Sequence, residues 1–166
     1  INKLIINQLF RKLEIKPKDL KIQEKETVSD IMNDEEQLIK TKEYYAIKNI
    51  KNEKVLITFL EIQFETSLKE TCSNISKELK WISKNVNSLK KYFAKDSKDI
   101  FGYLTNKDQS IFTEETILNS IVINNINFID FNFYEVSFGA PSIIKDNLIG
   151  LFVDQKLKEE LKEKCW

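Results

Sequence analysis

The chain of 166 residues has no histidine, three glycines, two prolines and two cysteines, and each shortage closes off a class of function. Histidine is the side chain whose ordinary pKa lets it exchange protons near neutral pH, and it is the commonest general base. Mechanisms built on a histidine base are therefore closed to this polypeptide. Gly102, Gly139 and Gly150 lie far apart, so neither a P-loop nor a dinucleotide fingerprint can be written, and nucleotide binding through those motifs is excluded. Cys72 and Cys165 are widely separated and have no histidine to join them, so no metal centre is expected. Two unpaired thiols suit a reducing, cytoplasmic setting. No apolar run approaches the ~20 residues that a membrane-spanning helix needs, and the N-terminus lacks the basic-then-apolar layout of a signal peptide. The chain opens on Ile1 rather than Met, as expected of a fragment, a processed form or a trimmed reading frame.

Twenty-six Lys and Arg balance 26 Asp and Glu. No overall field therefore draws in nucleic acid or an anionic membrane, which leaves room only for a local basic patch. Apolar residues at 42% and charged residues at 31% suit a globular chain rather than a disordered one. The length allows one hydrophobic core, read as a single unit over residues 1–166, or half of a larger two-part fold.

Along the chain, Ile1 to Ile15 is readable as helix or as strand, and Pro17-Lys18-Asp19-Leu20 as a turn into a short helix. Thr27 reads as an N-cap, with Val28, Ile31, Met32, Leu38 and Ile39 on one face of a helix running toward Lys42. Tyr44 to Ile50 and Val55 to Phe64 read as strands around a charged loop, Lys51 to Lys54. Leu68, Cys72, Ile75, Leu79, Ile82, Val86, Leu89 and Phe93 then alternate four and three residues apart, which predicts one buried helical face. Ser73, Asn74 and Ser76 predict a break in that helix. A loop and short-helix region around Gly102 follows. Ile117 to Asn125 and Phe131 to Phe138 read as strands, Ser142 to Val153 as a hairpin with Asp146-Asn147 at its tip, and a helix capped by Asp154 closes the chain.

The segment Asn127-Phe128-Ile129-Asp130-Phe131-Asn132-Phe133-Tyr134-Glu135-Val136-Ser137-Phe138-Gly139-Ala140-Pro141 resembles the C-terminal signature of CoA-dependent acyltransferases of the chloramphenicol-acetyltransferase-like fold. The branch is that of the plant BAHD enzymes and the fungal alcohol and trichothecene acetyltransferases. In that branch a Thr-Ser/Asn-Trp strand is followed by Asp-Phe-Gly-Trp-Gly-Lys-Pro; Ile126-Asn127-Phe128 falls on the first motif and Ser137-Phe138-Gly139-Ala140-Pro141 on the second, shortened. The resemblance implies an α+β fold, a mixed β-sheet covered by helices, equivalent to the C-terminal half of such an enzyme. It implies Asn127 and Phe128 near the mouth of a CoA channel, with Ser137, Phe138, Gly139 and Pro141 as structural elements. It also implies acyl-CoA as a co-substrate that is not tightly held, a small hydroxyl or amine acceptor, and a partner half carrying the family's His-x-x-x-Asp. Because that catalytic histidine belongs to the missing half, no residue here is assigned a catalytic role, and the chain alone is expected to be inactive.

The blander readings compete position by position. Asp130 and Glu135 read as solvated charge, Ser137 as a substituted turn residue with no base beside it, and Cys72 as a small hydrophobe in a helical stripe. Cys165 reads as an exposed, unactivated thiol. Phe128, Phe131, Phe133, Tyr134 and Phe138 read as core or acyl-pocket wall, since no Lys or Arg occurs from Ser110 to Ile144 to make a nucleic-acid groove. The alternative to an acyltransferase half is a non-enzymatic interaction domain or a decayed pseudoenzyme.

Overall fold

The stripe from Leu68 to Phe93 forms one uninterrupted helix, α1 (Leu68–Asp96), in a computed structural model that describes residues 12–31, 35–107 and 111–164. The Ser67 hydroxyl caps it by accepting the Glu70 amide at 3.2 Å, and Cys72, Ile75, Leu79, Ile82, Val86, Leu89 and Phe93 are all buried. The break predicted at Ser73 to Ser76 does not occur. Ser76 instead donates its hydroxyl to the carbonyl of Cys72 at 2.7 Å, a back-bond to the preceding turn that lets a polar residue stay inside a helix.

Six strands form one sheet in chain order: β1 (Lys21–Ile31), β2 (Glu35–Ile50), β3 (Glu53–Leu60), β4 (Val122–Asp130), β5 (Phe133–Gly139) and β6 (Leu148–Asp154). Neighbours are antiparallel except β3 and β4, which run parallel through Leu56 to Phe59 against Asn125 to Phe128. Parallel neighbours need a crossover. Here it comprises α1, α2 (Lys98–Thr105) and α3 (Glu114–Ser120). With α4 (Pro141–Ile144) and α5 (Gln155–Glu163), these helices pack together over one face of the sheet. That face contributes Tyr44, Ala46, Val55, Ile57, Phe59, Ile126, Phe128, Tyr134, Val136, Phe138 and Val153 to the core, all buried. Each large apolar side chain so buried stabilises the fold by about 1.5–3 kcal/mol. The α+β class and the mixed sheet agree with the sequence reading, and no described helix is long and apolar enough to cross a membrane.

Several local expectations are corrected. Residues 28–31 and 35–42 are strand rather than helix, and Met32 lies outside the described residues: Thr27 lies mid-strand, and β1 and β2 pair Thr27 with Ile39, Val28 with Leu38, Glu26 with Lys40 and Glu24 with Lys42. Apolar residues spaced for one helical face serve equally as cross-strand neighbours in a hairpin, and the opposed charges and β-branched side chains favour the strands. Beyond the part of β2 that pairs with β3, this hairpin continues as a two-stranded ribbon. Ile117 to Ser120 is helical, because Thr113 accepts the Thr116 amide at 3.1 Å and Glu114 and Glu115 occupy the first turn; this N-terminal signature outweighs β-branched composition. Pro141 opens α4 rather than one arm of a hairpin, and β6 pairs with β5 instead. The undecided residues 1–11 and Cys165 lie outside the described residues; of the first segment's remainder, Leu13 and Ile15 are buried. The Pro17–Asp19 turn, the strand Tyr44 to Ile50 and the Asp154-capped helix stand as read from the sequence, while the strand read as Phe131 to Phe138 begins at Phe133 and the one read as Val55 to Phe64 ends at Leu60.

Two substitutions probe this arrangement. Leu79→Ala should cost about 2–5 kcal/mol in urea unfolding, since Leu79 is fully buried and truncation leaves a cavity; a loss below about 1 kcal/mol would mean that the α1 stripe is not the core. The β2–β3 turn holds Lys51 and Asn52 at φ of 49° and 68°, the left-handed values a two-residue hairpin turn requires. Lys51→Gly should therefore raise stability by up to about 1 kcal/mol, and a lowered unfolding midpoint would show that Lys51 contributes contacts that outweigh its backbone strain.

Candidate functional site

The helices cover only one face of the sheet, so alternation along each strand decides which side chains meet solvent. The registers place Lys21, Tyr45, Thr58, Asn127, Glu135 and Phe152 in one row across all six strands of the opposite, open face. The neighbouring row is Ile47, Leu56, Asn125, Ser137 and Gly150. Phe133 and Phe152 stack at one end, their rings 5.3 Å apart and 11° from parallel. They remain 39% and 52% exposed, and Ile47, Leu56, Val122 and Leu148 are exposed on the same face. The expectation that both faces of β5 would be covered is thereby corrected. Its interior position between β4 and β6 is as expected.

A polar strip runs through the middle of this apolar surface. Thr58 Oγ1 donates to Asn127 Oδ1 at 2.9 Å, and Ser137 Oγ donates to Glu135 Oε1 at 3.2 Å. Gly150 makes room for the carboxylate: a Cβ there would lie 2.7 Å from Glu135 Cδ, so the glutamate rests directly on the backbone of β6. Toward the opposite end, Glu43 is held by Lys25 at 2.9 Å and by Gln23. Glu135 has no cation among the described residues, and one hydroxyl fills only part of a carboxylate's accepting capacity.

The six signature positions divide between the two faces. Asn127 and Ser137 belong to the polar strip. Phe128 is 0% exposed and packs in the core against Tyr134, with ring centroids 4.9 Å apart, and Phe138 packs against Phe93 at 4.6 Å. Gly139 sits between Val122 and Leu148, and Pro141 is the exposed first residue of α4. Consecutive residues of a strand point to opposite faces, so Asn127 and Phe128 share no surface. Asp130, named beside Glu135 as a carboxylate pair, is exposed at the end of β4 and accepts the Phe131 amide at 2.6 Å. Thr58, Gly150 and Phe152 belong to the strip or its margin but carry no motif, and each β6 or open-face β5 aromatic stands alone in its strand's alternation, so no local signal marks them.

On the covered side, Tyr134 donates its hydroxyl to Glu78 Oε2 at 3.1 Å, and Lys158 pairs with the same carboxylate while lying 4.8 Å from the centroid of the Trp81 ring. Burial first, and then the charge and hydrogen bond of Glu78, push the Tyr134 phenol well above its ordinary range. The Cys72 thiol is pushed up to about 11, again mainly by burial. It therefore stays protonated and inert near neutral pH. Among the described residues no group of three or more potential metal ligands converges. The open face offers hydrogen bonds and apolar contact, and there the hydroxyl of buried Ser137, within β5 rather than in a turn, meets the Glu135 carboxylate.

Two measurements follow from these contacts. Above about pH 9 the unfolded chain ionises Cys72 while the native state holds its proton up to about 11, so the unfolded state binds fewer protons and stability should fall between pH 9 and 11. In Cys72→Ala that part of the fall should vanish, and an unchanged profile would contradict the burial of the thiol. Gly150→Val should cost less in a Glu135→Ala background than in the wild type, because the two side chains compete for one space; equal costs would remove the contact between them.

The chain matches no family model, no curated protein and no solved structure at a significant level.

Proposed function

We propose that the chain is a non-enzymatic binding domain whose open sheet face receives a protein partner, one presenting a lysine or arginine among apolar side chains. The observation that carries this reading is the uncompensated Glu135 carboxylate bedded on Gly150 between exposed aromatic and aliphatic side chains. A cation from the partner would complete its hydrogen bonds, while Phe133, Phe152, Ile47 and Leu56 would supply the apolar contact. Six strands at about 4.8 Å spacing span roughly 24 Å, a width that suits one side of a standard protein interface better than a small-molecule pocket. In this reading the domain works inside the cell, where the unpaired Cys72 thiol stays reduced.

A photo-crosslinking residue at position 152, followed by identification and reconstitution of the cross-linked partner, tests the reading. Glu135→Lys and Phe152→Asp should each weaken the reconstituted complex by about tenfold or more while leaving the melting temperature nearly unchanged. A complex indifferent to both substitutions overturns it.

A second reading retains acyl transfer. The observation that favours it is that Asn127 and Ser137, both within the segment that resembles the acyltransferase signature, lie on the uncovered face, where a complementary half carrying His-x-x-x-Asp would seat. Acyl-CoA would then be the co-substrate and a hydroxyl or amine the acceptor, with the base supplied wholly by the partner. Under either reading the purified chain should not raise acyl transfer from acyl-CoA above background, since general-base catalysis contributes about 10²–10⁴ in rate. Turnover by the chain alone would overturn both, and turnover only after addition of a histidine-bearing half would select the second.

A further inference from the structure

On the helical side of the sheet, and independent of the open face, the first turns of α1 and residues Glu14 to Pro17 enclose a cleft of about 450 Å³. Lys69, Ser73, Lys77 and Lys80 line it from α1; spaced four, four and three residues apart, they follow one line along the helix. Lys16 lines the opposite wall, and Glu14 is the single acid among the lining residues. Four lysines against one glutamate leave an excess of three positive charges in a chain whose net charge is zero.

The structure offsets this charge only in part. Lys90, Lys158 and Lys25 are paired with Glu53, Glu78 and Glu43, whereas no ion pair among the described residues holds Lys16, Lys69, Lys77 or Lys80. Glu78 is held elsewhere, by Tyr134 and Lys158, whereas Asp19 stands beside the cleft, accepting the backbone amide of Lys16 at 2.9 Å and acting by its charge on Cys72. Lys77 and Lys80, three residues apart on the helix, repel one another and cost the isolated helix a few tenths of a kcal/mol.

The frame of the cleft is fixed and its floor is apolar. Ile15 donates its amide to Ser76 Oγ at 2.9 Å, tying the segment to α1. Ile15 and Cys72 lie beneath the cleft, 2% and 1% exposed, and exposed Pro17 supplies apolar surface on its wall. The volume lies in the range of small-molecule sites and is too small for a nucleic-acid duplex or a folded partner.

We propose that this cleft binds a phosphorylated small molecule of nucleotide size, its phosphates on the lysine rim and its ring against Pro17. Calorimetric titration of the full chain with ATP, pyrophosphate and adenosine, at low and moderate salt, tests it. ATP should bind most tightly and with a marked loss of affinity at the higher salt. The double variant Lys77→Ala, Lys80→Ala should weaken ATP by about tenfold or more, as should Lys69→Ala to a smaller degree, with circular dichroism confirming that the helix is intact. Lys162→Ala, on α5, should leave binding unchanged. Absence of ATP binding at millimolar concentration, or equal affinity in the double variant, overturns the site. Equal affinity for pyrophosphate and ATP overturns the role given to Pro17.

Discussion

The long helix α1, with the shorter helices beside it, covers one face of the sheet over β2 to β6 while Ile22 and Val28 of β1 stay exposed, and most of the remaining structure is arranged around that contact. The α1 stripe supplies seven buried side chains between Cys72 and Phe93, facing inward-pointing residues of β2 to β6. Polar groups admitted there are bonded, save the buried Ser97 hydroxyl at the end of α1, which has no partner among the described residues. Ser76 reaches back to Cys72 and out to Ile15, and Tyr134 meets Glu78. Glu53 ties the helix to the middle of the sheet, pairing with Lys90 of α1 while its other oxygen accepts the Ile123 amide at 2.8 Å. Removing either partner of such a bond would strand the other in a low-dielectric interior.

The same contact leaves the second face of the sheet without a layer. Phe152 and Ile47 there remain more than half exposed. The two faces are thus chemically unlike: one is dry and aromatic, the other an apolar field crossed by hydroxyl, amide and carboxylate groups. The cationic excess is segregated in turn to the outer side of α1, around the cleft. A chain of zero net charge therefore carries an acidic spot and a basic groove on separate surfaces.

What could be read in the sequence depended on how local the deciding interaction was. The α1 stripe and the Asp154 cap declare themselves within a few residues, and both were legible. The hairpin of β1 and β2 was not, because Val28 with Leu38 and Thr27 with Ile39 are neighbours only once a turn has formed. Helix α3 was hidden behind β-branched residues, although Thr113 and the two glutamates after it announced its start. At the candidate surface, Asn127 and Ser137 were singled out through a resemblance that groups them with Phe128 and Phe138. Strand alternation sends those two phenylalanines into the core. Thr58, Gly150 and Phe152 join the surface only through pairings between strands distant in the chain, which no local pattern records.

The parallel seam between β3 and β4 divides the sheet into two antiparallel meanders, each made of strands consecutive in the chain. Contacts inside each meander close short loops, whereas the seam joins residues nearly 70 positions apart and must wait for the intervening helices to fold over the sheet. Closing a long loop carries an entropic cost that local pairings do not. The meanders are thus the natural early units of assembly and the seam the late one. Its ladder extends only from Leu56 to Phe59 against Asn125 to Phe128, making it the line along which partial unfolding would separate the molecule into two cooperative pieces.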